Sequence, residues 1–193
     1  LGDGRFADLI VDGEAEQPLY ETAIDTLLRL QQEPAPTRLT VPGAAGEVNL
    51  LAYDPVAMEA EVLLLAEWFY PAAAGKPLDA GARDEYLAAW RPALARLPTD
   101  HAVMVLRDYH AENLMWLPAR GGAARAGLLD FQDALAGSPA YDLISLTEDA
   151  RRDVSVELAD AMTRRYLAAR RAGDARFDEE AFWQIGWKGL EKW

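Results

Sequence analysis

The chain has 193 residues, 51% of them hydrophobic and 26% charged, which excludes intrinsic disorder and permits one domain that buries roughly two-thirds of its unfolded surface. Its formal charge of −13, with no compensating basic stripe, argues against a nucleic-acid partner, and no apolar run is long enough to span a bilayer. The absence of cysteine excludes disulfides, thiolate metal sites and a cysteine nucleophile, and a reducing, cytoplasmic location is the simplest expectation.

Leu1-Gly2-Asp3-Gly4 carries neither a basic nor an apolar leader pattern, and no membrane segment is expected. From Leu19 to Leu30 apolar residues recur at three-and-four spacing, which predicts a helix with Pro18 in its first turn. The stretch Pro34 to Asn49, with three prolines and two glycines, reads as a loop. A second helix is predicted from Pro55 to about Tyr70. Asp54 is its N-cap, Met58, Val62, Leu65 and Phe69 form one stripe, and Pro71 ends it or closes its last turn. A third helix is predicted from about Asp79 to Ala95, with Tyr86, Leu87, Trp90 and Leu94 on its apolar side and Pro92 kinking or shortening it.

The period then changes. His101 to Leu106, Asn113 to Leu117 and Ala126 to Asp130 suit short strands, and Gly121-Gly122 marks a turn between the last two. Beyond Pro139 the pattern is helical again, through Leu143, Ile144 and Leu146, then Val156 to Arg171 with Gly173 as a stop, then Phe177 to about Trp187. The predicted fold class is α+β and mostly helical, with a small β-hairpin element in its middle.

That middle carries the chemistry. Asp108 stands five residues before Asn113, and Asp130 follows the intervening turn, the order in which a kinase-type phosphoryl-transfer site is laid out. Such a reaction needs one carboxylate at the acceptor hydroxyl and separate hard oxygen donors for Mg²⁺. Taken alone, Asp108 and Asn113 would read as plain loop formers, because both types favour turns. The conjunction of strand, Arg107-Asp108, Asn113, strand, turn, Asp130-Phe131 and Pro139-x-Tyr141-Asp142-Leu143 in one short window favours the functional reading. Trp68, Tyr70 and Trp90 could stack on a sugar ring or could be core residues.

These residues resemble the aminoglycoside phosphotransferase and choline kinase superfamily, relatives of the protein kinases, over the chain from about Leu1 onward. The stretches L-R-D-Y-H-A-E-N-L-M-W-L, G-L-L-D-F-Q-D-A and G-S-P-A-Y-D-L-I-S-L-x-x-D-A-R-R-D-V are similar to the bacterial cell-wall amino-sugar kinases that phosphorylate the anomeric hydroxyl of N-acetylmuramate or N-acetylglucosamine. The resemblance implies ATP and Mg²⁺ as cofactors and a small sugar or alcohol as substrate. It makes Asp108 the catalytic base or hydroxyl-orienting group and Asn113 and Asp130 the metal ligands. It also makes Asp142 a support behind the loop, with an ordinary acid at a helix N-terminus as the lesser alternative. Arg107 is nearer the Arg-Asp form than the His-Gly-Asp form common among antibiotic phosphotransferases. His110 is read as loop-stabilising or phosphate-contacting, and Gln132 and Asp133 as metal or sugar contacts or plain loop residues.

The resemblance also implies a small ATP-binding lobe with a Gly-rich strand pair and a strand lysine. The lysines are Lys76, Lys188 and Lys192, and none follows an early strand pattern. Residues 1–193 are therefore expected to be the large, substrate-binding and catalytic C-terminal lobe of a protein-kinase-like phosphotransferase. On this reading the ATP lobe is absent from the chain, and the end at Leu190-Glu-Lys-Trp193 falls short of the family's length. The alternatives are a kinase for an aminoglycoside, choline or another small alcohol, and a non-catalytic binding module of the same fold.

Overall fold

A computed structural model describes residues 4–40, 46–97, 101–175 and 177–186. Lys188 and Lys192, together with the expectations attached to Leu1–Asp3, to Trp187 and to the last four residues, lie outside them. The main core is built around helix α2 (Glu16–Leu30), whose Leu19, Tyr20, Ala23, Ile24 and Leu27 form one buried face. The helix begins three residues before the predicted start, because Pro18 needs no intrahelical N–H partner in a first turn. A short preceding helix, α1 (Phe6–Val11), escaped the sequence reading and buries Phe6 completely.

Across from α2 pack Leu143 and Leu146 of α6 (Ala140–Thr147) and Met162, Tyr166 and Leu167 of α7 (Val156–Gly173), with Phe182 of α8 (Glu179–Gly186). Each such fully buried aliphatic or aromatic side chain stabilises by about 1.5–3 kcal/mol. Buried hydroxyls are satisfied within this core: Tyr109 donates to the Ala23 carbonyl at 2.7 Å and Tyr166 to Gln31 Oε1 at 2.5 Å.

The strands are short. Strand β1 (Gly4–Arg5), β5 (Leu114–Trp116) and β6 (Ala126–Leu128) form an antiparallel sheet in the order β1-β5-β6. The expected hairpin is thus present, and Gly122 takes the left-handed φ of 56° in its connection. The predicted strand at residues 101–106 is observed as β4 (Val103–Val105), but it pairs with β7 (Leu135–Gly137) rather than joining the hairpin. The small residues of β7 hid it from a propensity reading. A Cβ on Gly137 would stand 3.0 Å from Val105 Cγ2, so this pairing is too close for a larger residue.

Residues 34–49, expected as a loop, hold a two-stranded hairpin of β2 (Arg38–Thr40) and β3 (Glu47–Asn49). It is mostly exposed and stands on the cross-strand pair Leu39–Val48 and an Arg38–Glu47 ion pair, so it lacks the buried alternation that announces a strand.

A helical arm precedes β4. Helix α3 (Pro55–Leu64) is capped by Asp54, whose Oδ1 accepts from Val56 and Ala57 N–H at 3.0 Å each. Pro71 does not end the helix. A π-helical turn at Leu65–Phe69 lets Tyr70 N–H reach the Leu65 carbonyl, and α4 (Tyr70–Ala74) continues to Gly75, which closes it with a φ of 69°.

The predicted stripe is also corrected here. Leu63 and Ala66 face Leu87 of α5 (Ala80–Leu94) and form a second small core, while Trp68 and Phe69 are left 73% and 68% exposed. Met58 is buried and Val62 packs against this second core as expected, whereas Leu65 is exposed like Phe69: the wider π turn at Leu65–Phe69 rotates the stripe off the contact face from there on. Helix α5 runs two residues past Pro92, which sits in the last turn and so costs a single backbone bond. No described helix is long and apolar enough to cross a membrane.

Candidate active site

The loop between β4 and β5 is held from behind by one carboxylate. Asp142, fully buried in the first turn of α6, accepts from Leu106 N–H at 2.8 Å through Oδ2 and from Arg107 N–H at 3.0 Å through Oδ1. Ser145 Oγ, one turn further along α6, donates to the Arg107 carbonyl at 3.2 Å. Between these bonds Arg107 adopts a φ of 71°, a region that non-glycine residues rarely enter. The strain, of order 1–3 kcal/mol, turns the chain so that Asp108 leaves the core and points out half-exposed. Burial pushes the Asp142 carboxyl up to about 7, against the lowering effect of its two backbone donors.

Asn113 closes the loop. Its Nδ2 donates to the Asp108 carbonyl at 3.1 Å and lies 3.3 Å from His110 Nε2. Facing a carbonyl, this end of the amide must be the nitrogen, so Oδ1 points away and is left to accept or to ligate. His110 is buried, and desolvation together with Arg151 holds its pKa below the ordinary value, so its ring is neutral at pH 7. It packs inside the loop and stands 3.7 Å from Asp108 Oδ1, and its Nδ1 is buried without a hydrogen-bond partner among the described residues.

Asp130 reaches the site through the hairpin. Leu129 N–H donates to the Asn113 carbonyl at 2.9 Å, which sets Asp130 one residue beyond Asn113's own partner. Asp130 again has a positive φ, 54°, and its Oδ1 accepts from Gln132 Nε2. Asp133 lies exposed in the following turn. The structure therefore joins Asp108 to Asn113 directly and Asp130 to Asn113 through the backbone, with Asp142 behind. The Arg107 side chain points elsewhere.

Arg107 belongs to a network that the sequence did not disclose. Its guanidinium donates to Glu61 Oε1 of α3, and the Tyr53 hydroxyl donates to Glu61 Oε2 at 2.5 Å. Tyr53 and Tyr141 meet edge-on with ring centroids 5.0 Å apart. Glu61 and Tyr53 come from the helical arm and its entry, tens of residues away, and no local pattern marks them as partners of the loop.

On its other side the loop meets the segment after α6. Arg151 stands 3.3 Å from Asp108 Oδ1 and 3.8 Å from Glu112 Oε2, and its backbone N–H donates to Asp149 Oδ1 at 2.9 Å. Asp149 is buried, and its Oδ2 has no partner among the described residues.

Asn113 Oδ1 and the Asp130 carboxylate are hard oxygen donors of the type Mg²⁺ takes, and because the Asn113 amide nitrogen faces the Asp108 carbonyl its oxygen is not spent on that contact. No group of three or more His, Asp or Glu side chains among the described residues could hold a metal ion without help. Two donors suit an ion whose remaining positions are filled by substrate phosphates and water.

Comparison with known proteins gives a concordant result. The phosphotransferase enzyme family matches residues 10–178. An N-acetylmuramate/N-acetylglucosamine kinase of Caulobacter vibrioides is 47% identical over 170 residues, covering 88% of this chain and 46% of the relative. A protein of the same name from Neisseria meningitidis serogroup B is 33% identical over 199 residues, covering 100% of this chain and 54% of the relative. One from Pseudomonas putida is 32% identical over 155 residues, with 78% and 39% covered. The chain spans about half the length of the curated relatives it matches.

Proposed function

The chain belongs to the phosphotransferase enzyme family, and we propose that it carries the acceptor side of an ATP-dependent small-molecule kinase. The γ-phosphoryl group goes to a hydroxyl of an amino sugar; the name of the relative 47% identical over 88% of the chain supports N-acetylmuramate or N-acetylglucosamine as that sugar, and we take its anomeric hydroxyl as the acceptor. The observation that carries the reading is the bracket formed by Asp142, Arg107 and Asn113, which holds the loop by its backbone and leaves the Asp108 carboxylate half-exposed.

In this reading Asp108 accepts the sugar hydroxyl's hydrogen bond and draws its proton as the sugar oxygen bonds to the γ-phosphorus and the bond from that phosphorus to the bridging oxygen breaks, releasing ADP. Asn113 and Asp130 would hold Mg²⁺, which would supply charge neutralisation at the phosphates. Asp142 and His110 keep the loop in place, and Gln132 orients the Asp130 carboxylate. Neutral His110 is buried within the loop, which leaves Asp108 as the exposed carboxylate for the hydroxyl.

The test is phosphorylation by the full-length protein with labelled ATP across N-acetylmuramate, N-acetylglucosamine, an aminoglycoside and choline. Phosphate is expected on the N-acetylated sugars, in an acid-labile anomeric linkage. Asp108→Asn is expected to lower kcat by about 10²–10⁴ with little change in thermal stability, because the side chain is half-exposed. Phosphate found only on the antibiotic or on choline rejects the substrate assignment. Undiminished turnover in the variant rejects the base.

A further inference from the structure

Among the described residues Arg151 is the one guanidinium held against the carboxylate that takes the acceptor hydroxyl in the reading above, and its commitments are loose. It makes single contacts of 3.3 Å to Asp108 and 3.8 Å to Glu112, and its side chain is 47% exposed. The neighbouring arginines are engaged differently. Arg152 donates to the Tyr20 hydroxyl at 2.7 Å and to Glu16 at 2.5 Å, with its guanidinium over the Tyr20 ring. Arg107 is bound through two nitrogens to Glu61, and Arg165 grips both oxygens of Asp25 at 2.8–3.0 Å.

The backbone under Arg151 is nonetheless fixed. Its N–H is held by the buried Asp149 carboxylate at 2.9 Å, so the side chain starts from a defined point at the rim of the site. A half-exposed guanidinium on a fixed base, with weak partners that an incoming anion can replace, is suited to receiving a carboxylate.

Charge gives this arrangement a purpose. The protein carries −13, and Asp108, Glu112, Asp130 and Asp133 line or flank the site, so an anionic sugar meets repulsion on approach. N-acetylmuramate and N-acetylglucosamine differ by a lactyl ether whose carboxylate is negative at neutral pH. A sugar whose hydroxyl rests on Asp108 lies within the reach of a guanidinium that is already 3.3 Å from the same oxygen.

We propose that Arg151 receives the carboxylate of an acidic amino sugar, and so sets the preference of this site for the lactyl-bearing sugar over its neutral analogue. The proposal rests on the amino-sugar kinase reading. On binding, Arg151 exchanges Glu112 and part of its hold on Asp108 for the ligand carboxylate, which also releases Asp108 to the hydroxyl.

The test compares kcat/KM for N-acetylmuramate, for its neutral lactyl amide and for N-acetylglucosamine in the full-length protein and in Arg151→Gln and Arg151→Lys. In the unaltered protein the acid is expected to be preferred over its amide by about tenfold or more, as for a charge-assisted bond. Arg151→Gln is expected to bring that ratio to near one, chiefly through KM of the acid, and Arg151→Lys to retain part of it. Equal losses on all three sugars, or an unchanged ratio, overturns the proposal and assigns Arg151 to Asp108 or to the phosphoryl group. Binding of the acid and its amide, read by calorimetry without turnover, gives the same comparison if a variant loses catalysis. Absence of phosphorylation of any of these sugars by the unaltered protein is a different result, and rejects the amino-sugar reading itself.

Discussion

At the scale of the residue, Asp142 occupies a position unfavourable to a charge, and its use there has a measurable signature. Its carboxyl is at about 7 in the native protein and near 3.8 when the chain is unfolded. Between those values the native state holds a proton that the unfolded state has released. Its contribution to stability is therefore complete below about pH 4, and is lost as the pH rises through the native value. Asp142→Asn does not titrate and should remove this dependence. The wild-type minus variant unfolding free energy is expected to fall as the pH goes from 4 to 7, with a slope no steeper than about 1.4 kcal/mol per unit. Urea titrations of both proteins at several pH values measure it, and parallel curves would show that burial leaves the carboxyl unshifted. The sequence marked Asp142 as a support or as an ordinary helix N-terminal acid; its hydrogen bonds to Leu106 and Arg107 are those of a support. What it did not mark is the backbone. The positive φ of Arg107 sits among these tertiary contacts and has no local sequence cause, since arginine has no preference for that region; Asp130, of a type that visits it, is the less surprising of the two.

At the scale of the element, short windows were legible wherever burial was periodic. Helix α2, the Asp54 cap of α3 and the hairpin of β5 and β6 followed from spacing and turn chemistry. The π turn, strand β7 and the β2–β3 hairpin did not, because each depends on what packs against it: α5 on one face, Val105 at Gly137, and little on the exposed hairpin. Glu61 shows the consequence for the site. It joins the helical arm to the loop by accepting from Arg107 and Tyr53, and its two partners are half-buried or more. Glu61→Ala leaves a partly buried guanidinium and a phenol without their acceptor. The expected loss is about 1–3 kcal/mol, reduced from the fully buried case because the pair is partly exposed. Glu61→Gln keeps the Tyr53 bond and should lose less. Denaturant midpoints measure both, and an Ala variant as stable as the parent would mean that the arm is held by its own apolar core alone.

At the scale of the whole molecule, the described residues supply groups for the acceptor and the metal but few for the phosphates of a nucleotide. Lys76, between α4 and α5, is the one lysine among them, and no described strand carries a lysine that could pair with phosphate. With a net charge of −13 the long-range field also opposes a polyanion. We propose that the lobe covering ATP lies outside these 193 residues. One lost charge-assisted lysine–phosphate contact is worth about 1.5–3 kcal/mol, or roughly tenfold to over a hundredfold in affinity. The 193-residue chain alone should therefore bind MgATP at least about tenfold more weakly than the full-length protein, and should turn over slowly or not at all while still binding the sugar. Calorimetric titration of MgATP and of N-acetylmuramate into both polypeptides separates the two affinities. If the shorter chain matched the longer in nucleotide affinity and in turnover, the phosphates would have to be held by groups on the present fold, and arginines near the loop, Arg151 first among them, would become the residues to examine.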